Sequence, residues 1–102
     1  MVYLPSNIFI RFFGIEEAQV VVTNTQAYND PYYIYDAGLS SSIMVDVGEL
    51  RQFVKSIELV DEEGSLDDAK DRLKFMRRMM DRNERLEQAV IDYELCYLKE
   101  YK

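Results

Sequence analysis

Asn7-Ile8-Phe9-Ile10-Arg11-Phe12-Phe13 is the stretch on which the fold turns. It is β-branched and aromatic with one charge, and a run apolar to both sides reads as a central or doubly covered strand. Working outward, Gln19-Val20-Val21-Val22-Thr23-Asn24-Thr25 has similar make-up and reads as a second strand beyond a turn at 14–17. Asn29-Asp30-Pro31 is a turn, because Asx side chains bond nearby backbone and proline fixes φ. Tyr32-Tyr33-Ile34-Tyr35-Asp36 then reads as a third strand. Gly38 and Ser40-Ser41-Ser42 form a loop before a short apolar segment, Ile43-Met44-Val45. The short spacings favour antiparallel pairing.

From Asp46 the period changes. Leu50, Phe53, Val54 and Ile57 recur at i, i+3, i+4 and i+7, one buried helix face. Asp46 with Glu49 three residues on resembles a capping box, and Ser65 with Asp68 repeats the device. Residues 65–101 contain neither Gly nor Pro. The stripe Leu66, Ala69, Leu73, Met76, Met80 is nevertheless rotated by about 100° from the stripe Leu86, Ala89, Val90, Tyr93, Tyr97. The polar run Asp81-Arg82-Asn83-Glu84-Arg85 lies at the join, so two helices are expected, near 65–80 and 84–100.

These readings combine into a single α+β domain over residues 1–102, with 1–46 mainly β and 47–102 mainly α. An N-terminal antiparallel sheet of three to four strands would be covered by two or three C-terminal helices. The expected core is Ile8, Ile10, Phe12, Val20, Val22, Ile34, Leu50, Phe53, Val54, Ile57, Leu73, Met76, Leu86, Val90 and Tyr93.

Chemistry has little to work with. Among 102 residues there is no His, no Trp and one Cys, Cys96, which reads as a small buried hydrophobe. Net charge is −7, and all of it lies in residues 1–64, where Arg11, Arg51 and Lys55 face ten carboxylates. That balance opposes binding to a phosphate backbone. The carboxylates around Asp61 fail the calcium-loop pattern, since its sixth and twelfth positions are Leu66 and Arg72. Ser40–Ser42 have no His to activate them. The expectation is a chain that is not an enzyme, with no catalytic residue, no metal and no cofactor. The N-terminus lacks a secretory pattern, and no apolar run reaches the length of about 18 residues that spans a membrane. A soluble, cytoplasmic protein without membrane contact is expected.

Aromatic residues are plentiful, and seven of the eight tyrosines fall in two groups. No Lys or Arg lies between Phe12 and Leu50, so stacking of nucleic-acid bases on a sheet is not expected. Tyrosine also supplies rigid, amphipathic contact area for protein interfaces. Residues 86–98 are apolar on two sides of a helix: Tyr93 and Tyr97 face the core while Ile91, Leu95 and Leu98 form a separate stripe. Tyr32, Tyr33, Tyr35, Ile91, Leu95 and Leu98 are therefore the candidate protein-interaction residues. The basic stripe from Lys70 to Arg85 reads as a salt-bridged solvent face, with a second reading in which it faces the acidic N-terminal half, internally or in a second copy.

The tract Tyr28-Asn29-Asp30-Pro31-Tyr32-Tyr33-Ile34-Tyr35 and the Tyr/Leu-rich end from Tyr93 to Tyr101 resemble small orphan proteins of viruses that infect thermophilic archaea. The resemblance implies a small accessory protein of the host cytoplasm that binds a host or viral protein. The functional expectation is a non-catalytic protein–protein interaction module whose partner is a protein, a peptide or a second copy in a homodimer. The runner-up is an acidic inhibitor in which Glu16, Glu17, Asp30, Asp36 and Asp46 imitate nucleic-acid phosphates.

Overall fold

A computed structural model of the chain describes residues 2–25, 32–36 and 42–97. The stretch expected to be the first strand is a helix. In chain order the elements are β1 (Val2–Tyr3), α1 (Ser6–Phe13), α2 (Ile15–Thr25), β2 (Tyr32–Asp36), β3 (Ser42–Asp46), α3 (Val47–Glu62), α4 (Leu66–Arg78) and α5 (Glu84–Tyr97). The α+β architecture, with its antiparallel sheet of three to four strands drawn from residues 7–46, is thereby overturned. The chain is predominantly helical. Its strands are short, and their pairing is mixed: β3 lies between β1, which runs parallel to it, and β2, which runs antiparallel.

The chain falls into two compact units, Met1–Val54 and Lys55–Lys102, with the division inside α3. In the first unit, α1 buries Ser6, Asn7, Phe9 and Ile10, a helical set of neighbours. A strand would instead have grouped Ile8, Ile10 and Phe12, yet Phe12 is 77% exposed and Phe9 fully buried. The Phe9 and Phe13 rings meet at 4.8 Å, one helical turn apart. Pro5 sits at the helix start, and the Ser6 N–H donates to Glu49 Oε1 at 3.1 Å. A carboxylate there satisfies a donor with no intrahelical partner and complements the positive end of the helix dipole.

Gly14, at φ 91°, separates α1 from α2 in a conformation that a side chain would strain. Glu16 and Glu17 occupy the first turn of α2, a favourable place for acids. Ala18 and Val21 are its buried residues, and Val20 is half exposed. The second expected strand therefore also yields to helix. The third and the short apolar segment after it are strands, paired from Tyr32↔Asp46 to Asp36↔Ser42. Asp46 Oδ1 accepts from the Glu49 N–H at 3.0 Å, so the expected cap opens α3. Glu49 itself reaches to α1 rather than back to its own cap.

The α3 stripe Leu50, Phe53, Val54, Ile57 is buried as its period requires, and Val60 extends it. In the second unit Val60 joins Ala69, Leu73, Leu86, Ala89 and Val90 in one apolar cluster. Each large side chain so buried contributes roughly 1.5–3 kcal/mol relative to exposure. Gly64, at φ 107°, leads into the Ser65 cap, whose Oγ accepts from the Asp68 N–H at 3.1 Å. A Cβ on Gly64 would lie 2.7 Å from Asp68 Oδ2.

Helix α4 stops where the polar run was expected to break it. Met80 adopts φ 58°. Its N–H donates to the Arg77 carbonyl at 3.1 Å and that of Asp81 to the Met76 carbonyl at 2.8 Å, the paired bonds of a left-handed helix cap. Asn83 Oδ1 then accepts from the Leu86 N–H at 3.1 Å and opens α5.

Of the remaining expected core residues, Val20 and Ile34 are at least half exposed. Ile8, Val22, Met76 and Tyr93 are half-buried. The buried residues not foreseen include Phe9, Ala18, Val21, Val45, Val47 and Cys96.

Candidate functional site

Helices α4 and α5 form a hairpin joined by five residues, and a groove of about 480 Å³ runs between them. That volume lies within the range of about 300–1,000 Å³ usual for ligand sites. Leu73, Val90 and Ile91 supply its apolar lining. Lys70, Lys74, Arg77 and Arg82 supply cations, and Glu87 is the one lining carboxylate among the described residues. Positions 70, 74 and 77 share an edge of α4 because three- and four-residue steps are neighbours on a helix.

Two of the four cations are engaged. Lys70 Nζ lies 3.3 Å from Glu94, and Arg82 pairs with Glu87 at 3.2 Å and Glu84 at 3.9 Å. Such exposed pairs fix geometry more than they stabilise, each worth about 0–1 kcal/mol. Lys74 and Arg77 are exposed and make no ion pair among the described residues. Salt bridges thus form at Lys70, Arg72 and Arg82, but with Glu94, Glu63, Glu84 and Glu87 rather than with acids one turn away on α4 as expected.

A second surface lies in the other unit, on the open face of the sheet. Ile34 pairs with Met44, whose other neighbour is Tyr3, so these three share one face with Tyr32. Tyr3 is 48%, Tyr32 49% and Ile34 54% exposed, while Val45, on the other face, is completely buried. Period-two alternation thus leaves an apolar row facing outward.

The candidate residues read from the sequence divide accordingly. Tyr32 belongs to the open sheet face, and Ile91 lines the groove and is half exposed. Leu95 is half-buried on α5. Tyr33 and Tyr35 lie in β2 by their backbones, and their side chains are outside the described residues, as is Leu98 entirely. Sequence reasoning missed Tyr3 and Ile34 as surface residues. Their signal was pairing register, which one strand at a time does not carry. Of the acids expected to imitate phosphates, Asp46 caps α3, Glu16 and Glu17 stand in the first turn of α2, Asp36 lies in β2 by its backbone, and Asp30 lies outside the described residues.

The second unit also holds a buried polar network. Ser56 Oγ donates to Asp92 Oδ2 at 2.7 Å and accepts from Arg85 Nη1 at 3.2 Å, while Gln88 Nε2 donates to Asp92 Oδ1 at 2.9 Å. Ser56 is fully buried and Asp92 is 2% exposed. A serine beside a carboxylate suggests a nucleophile, but substrate cannot reach a sealed hydroxyl. Its role is to tie α3 to α5 through satisfied buried polar groups. Cys96 is buried, as expected of a small hydrophobe. Tyr97, expected to face the core, is 42% exposed, and its partial burial pushes the phenol above its ordinary 10.0, with smaller contributions from Cys96, Tyr93 and Asp61.

Among the described residues no group of three or more His, Cys, Asp or Glu side chains could hold a metal ion. No helix among them is long and apolar enough to cross a membrane. Compared with protein-family models, with curated proteins and with solved structures, the chain matches none.

Proposed function

We propose that this chain is a non-catalytic protein–protein interaction module. The observation that carries the reading is the placement of large apolar side chains outside the core, on surfaces with defined geometry. Tyr3, Tyr32 and Ile34 form a row on the open sheet face, and Ile91 lines the α4–α5 groove. Scattered exposed hydrophobes are ordinary, but contiguous ones mark contact sites. Tyrosine suits such a site because it offers broad contact area at low conformational cost. The partner is a protein or peptide, a second copy included. The Ser56–Asp92 pair is sealed and is read as packing rather than turnover.

The test is mass-resolved sizing of the pure chain, together with site-specific cross-linking in extracts of its source from positions 34 and 91. Tyr32→Ser/Ile34→Lys and Ile91→Glu variants are measured beside the wild type. Both variants are expected to melt like the wild type while losing an assembly or a cross-linked partner. A strictly monomeric wild type with no cross-linked partner, or variants that unfold because these residues are core, would overturn the proposal.

A further inference from the structure

We propose that the α4–α5 groove is a docking site for an acidic, amphipathic helix of a partner protein. The inference rests on the interaction-module reading and adds the chemistry of the partner. Charge makes the first argument. The chain carries a net −7, yet among the described residues this groove gathers four cations against one lining carboxylate. Glu94 holds Lys70, and Glu87 with Glu84 holds Arg82, so those two are positioned and partly neutralised. Lys74 and Arg77 keep their charge uncompensated among the described residues, beside an apolar lining of Leu73, Val90 and Ile91. A ligand that satisfies both parts must bring carboxylates and apolar side chains together.

Spacing makes the second argument. Lys70, Lys74 and Arg77 stand at i, i+4 and i+7, spread over about 10 Å of helix at roughly 1.5 Å per residue. Acids at i, i+3 or i+4, and i+7 on a helix laid alongside have the same rise and meet the same edge. Apolar residues one step round that helix fall on the groove lining. An extended peptide brings only alternate side chains to one face, about 7 Å apart, and does not reproduce the i, i+4, i+7 rise of the cation edge. The groove of a helix hairpin is also where a third helix packs, at interaxial distances of about 8–10 Å. Nucleic acid fits less well, because its backbone would meet the net −7 of the chain and leave the apolar lining unused.

Titration of the full chain tests this. The probe is a synthetic amphipathic helix of about four turns, with Leu on one stripe and Glu flanking it. A counterpart with Lys in place of Glu, inorganic phosphate and a single-stranded oligonucleotide are measured alongside. The Glu peptide is expected to bind, more weakly as salt rises, and the Lys peptide not to bind. Lys74→Glu/Arg77→Glu should weaken binding about ten-fold or more without lowering the melting temperature. Ile91→Glu should weaken it too, and Arg78→Glu, exposed on α4 outside the groove, should leave it unchanged.

Several results would overturn the proposal: no binding of the Glu peptide, equal binding of both peptides, or indifference to the double reversal. Displacement of the Glu peptide by phosphate at equal concentration would make this a small-anion site, and tighter binding of the oligonucleotide a nucleic-acid site. Partner loss in Tyr32→Ser/Ile34→Lys would show the interaction reading surviving a failure of the groove.

Discussion

Truncating Phe9 and Phe12 separately tests the reading of α1, because helix and strand assign these neighbours opposite fates. In the helix Phe9 is fully buried, its ring centroid 4.8 Å from that of Phe13 in a tilted pair, and Phe12 is 77% exposed. Phe9→Ala removes a buried ring and leaves a cavity, a change that costs about 3–5 kcal/mol. The lost ring pair contributes to the upper part of that range. Phe12→Ala removes mostly hydrated surface and should fall within about 0.5 kcal/mol of wild type. At roughly 4–8 °C per kcal/mol for a chain of this size, Phe9→Ala lowers the melting midpoint by on the order of 15 °C or more, and Phe12→Ala hardly moves it. Denaturant unfolding followed by circular dichroism measures both. A strand would place Phe12 with Ile8 and Ile10 and make its loss costly. A Phe12→Ala cost equal to that of Phe9→Ala, or a Phe9→Ala cost below about 1 kcal/mol, would refute the helical packing.

Met80→Gly should stabilise the chain by about 0.5–1 kcal/mol, since Met80 holds φ 58° and is 96% exposed, so glycine relieves strain without losing packing. Thermal melts would show it, and a β-branched Met80→Val should move the midpoint the other way. Ser56→Ala and Asp92→Ala should each cost about 1.5–3 kcal/mol, with the double mutant costing less than the sum by about 0.5–3 kcal/mol. Additive costs would contradict the 2.7 Å bond between them. The Tyr97 phenol, raised above 10.0 by burial, should titrate later than an ordinary tyrosine in a wild-type minus Tyr97→Phe ultraviolet difference. Because the unfolded chain loses that proton first, the contribution of Tyr97 to stability is complete below its unfolded value and declines as pH rises through the folded one. Titration at or below the ordinary value would contradict the partial burial of this side chain.

The C-terminal half was legible because its signals are local. Asp46 and Ser65 are caps whose bonds close within three residues, and the stripe from Leu50 to Ile57 repeats at one helical period, whereas the like bond of Asn83 went unread within the polar run. The N-terminal third was misread because Ile8–Phe13 is apolar on every side but one, and a run of that length has no distinguishing period. β-branched residues then tipped the reading to strand, although their intrinsic preference is small against tertiary packing. Glu16 and Glu17 after Gly14, with Ala18 and Val21 three apart, carried a weaker helical signal. Of the site, Ile91 and the i, i+4, i+7 cations were visible in sequence. That Lys74 and Arg77 lack ion partners among the described residues, and that Ile34 faces outward, depend on contacts between distant segments.

The most direct measurement of the central claim is a two-dimensional NMR titration of the full chain with the acidic amphipathic helix. The interaction account expects shift changes concentrated at Leu73, Lys74, Arg77, Val90 and Ile91, saturating with the peptide and absent in Lys74→Glu/Arg77→Glu. Shifts spread evenly over the acidic and basic surfaces alike, or none at the groove, would contradict it.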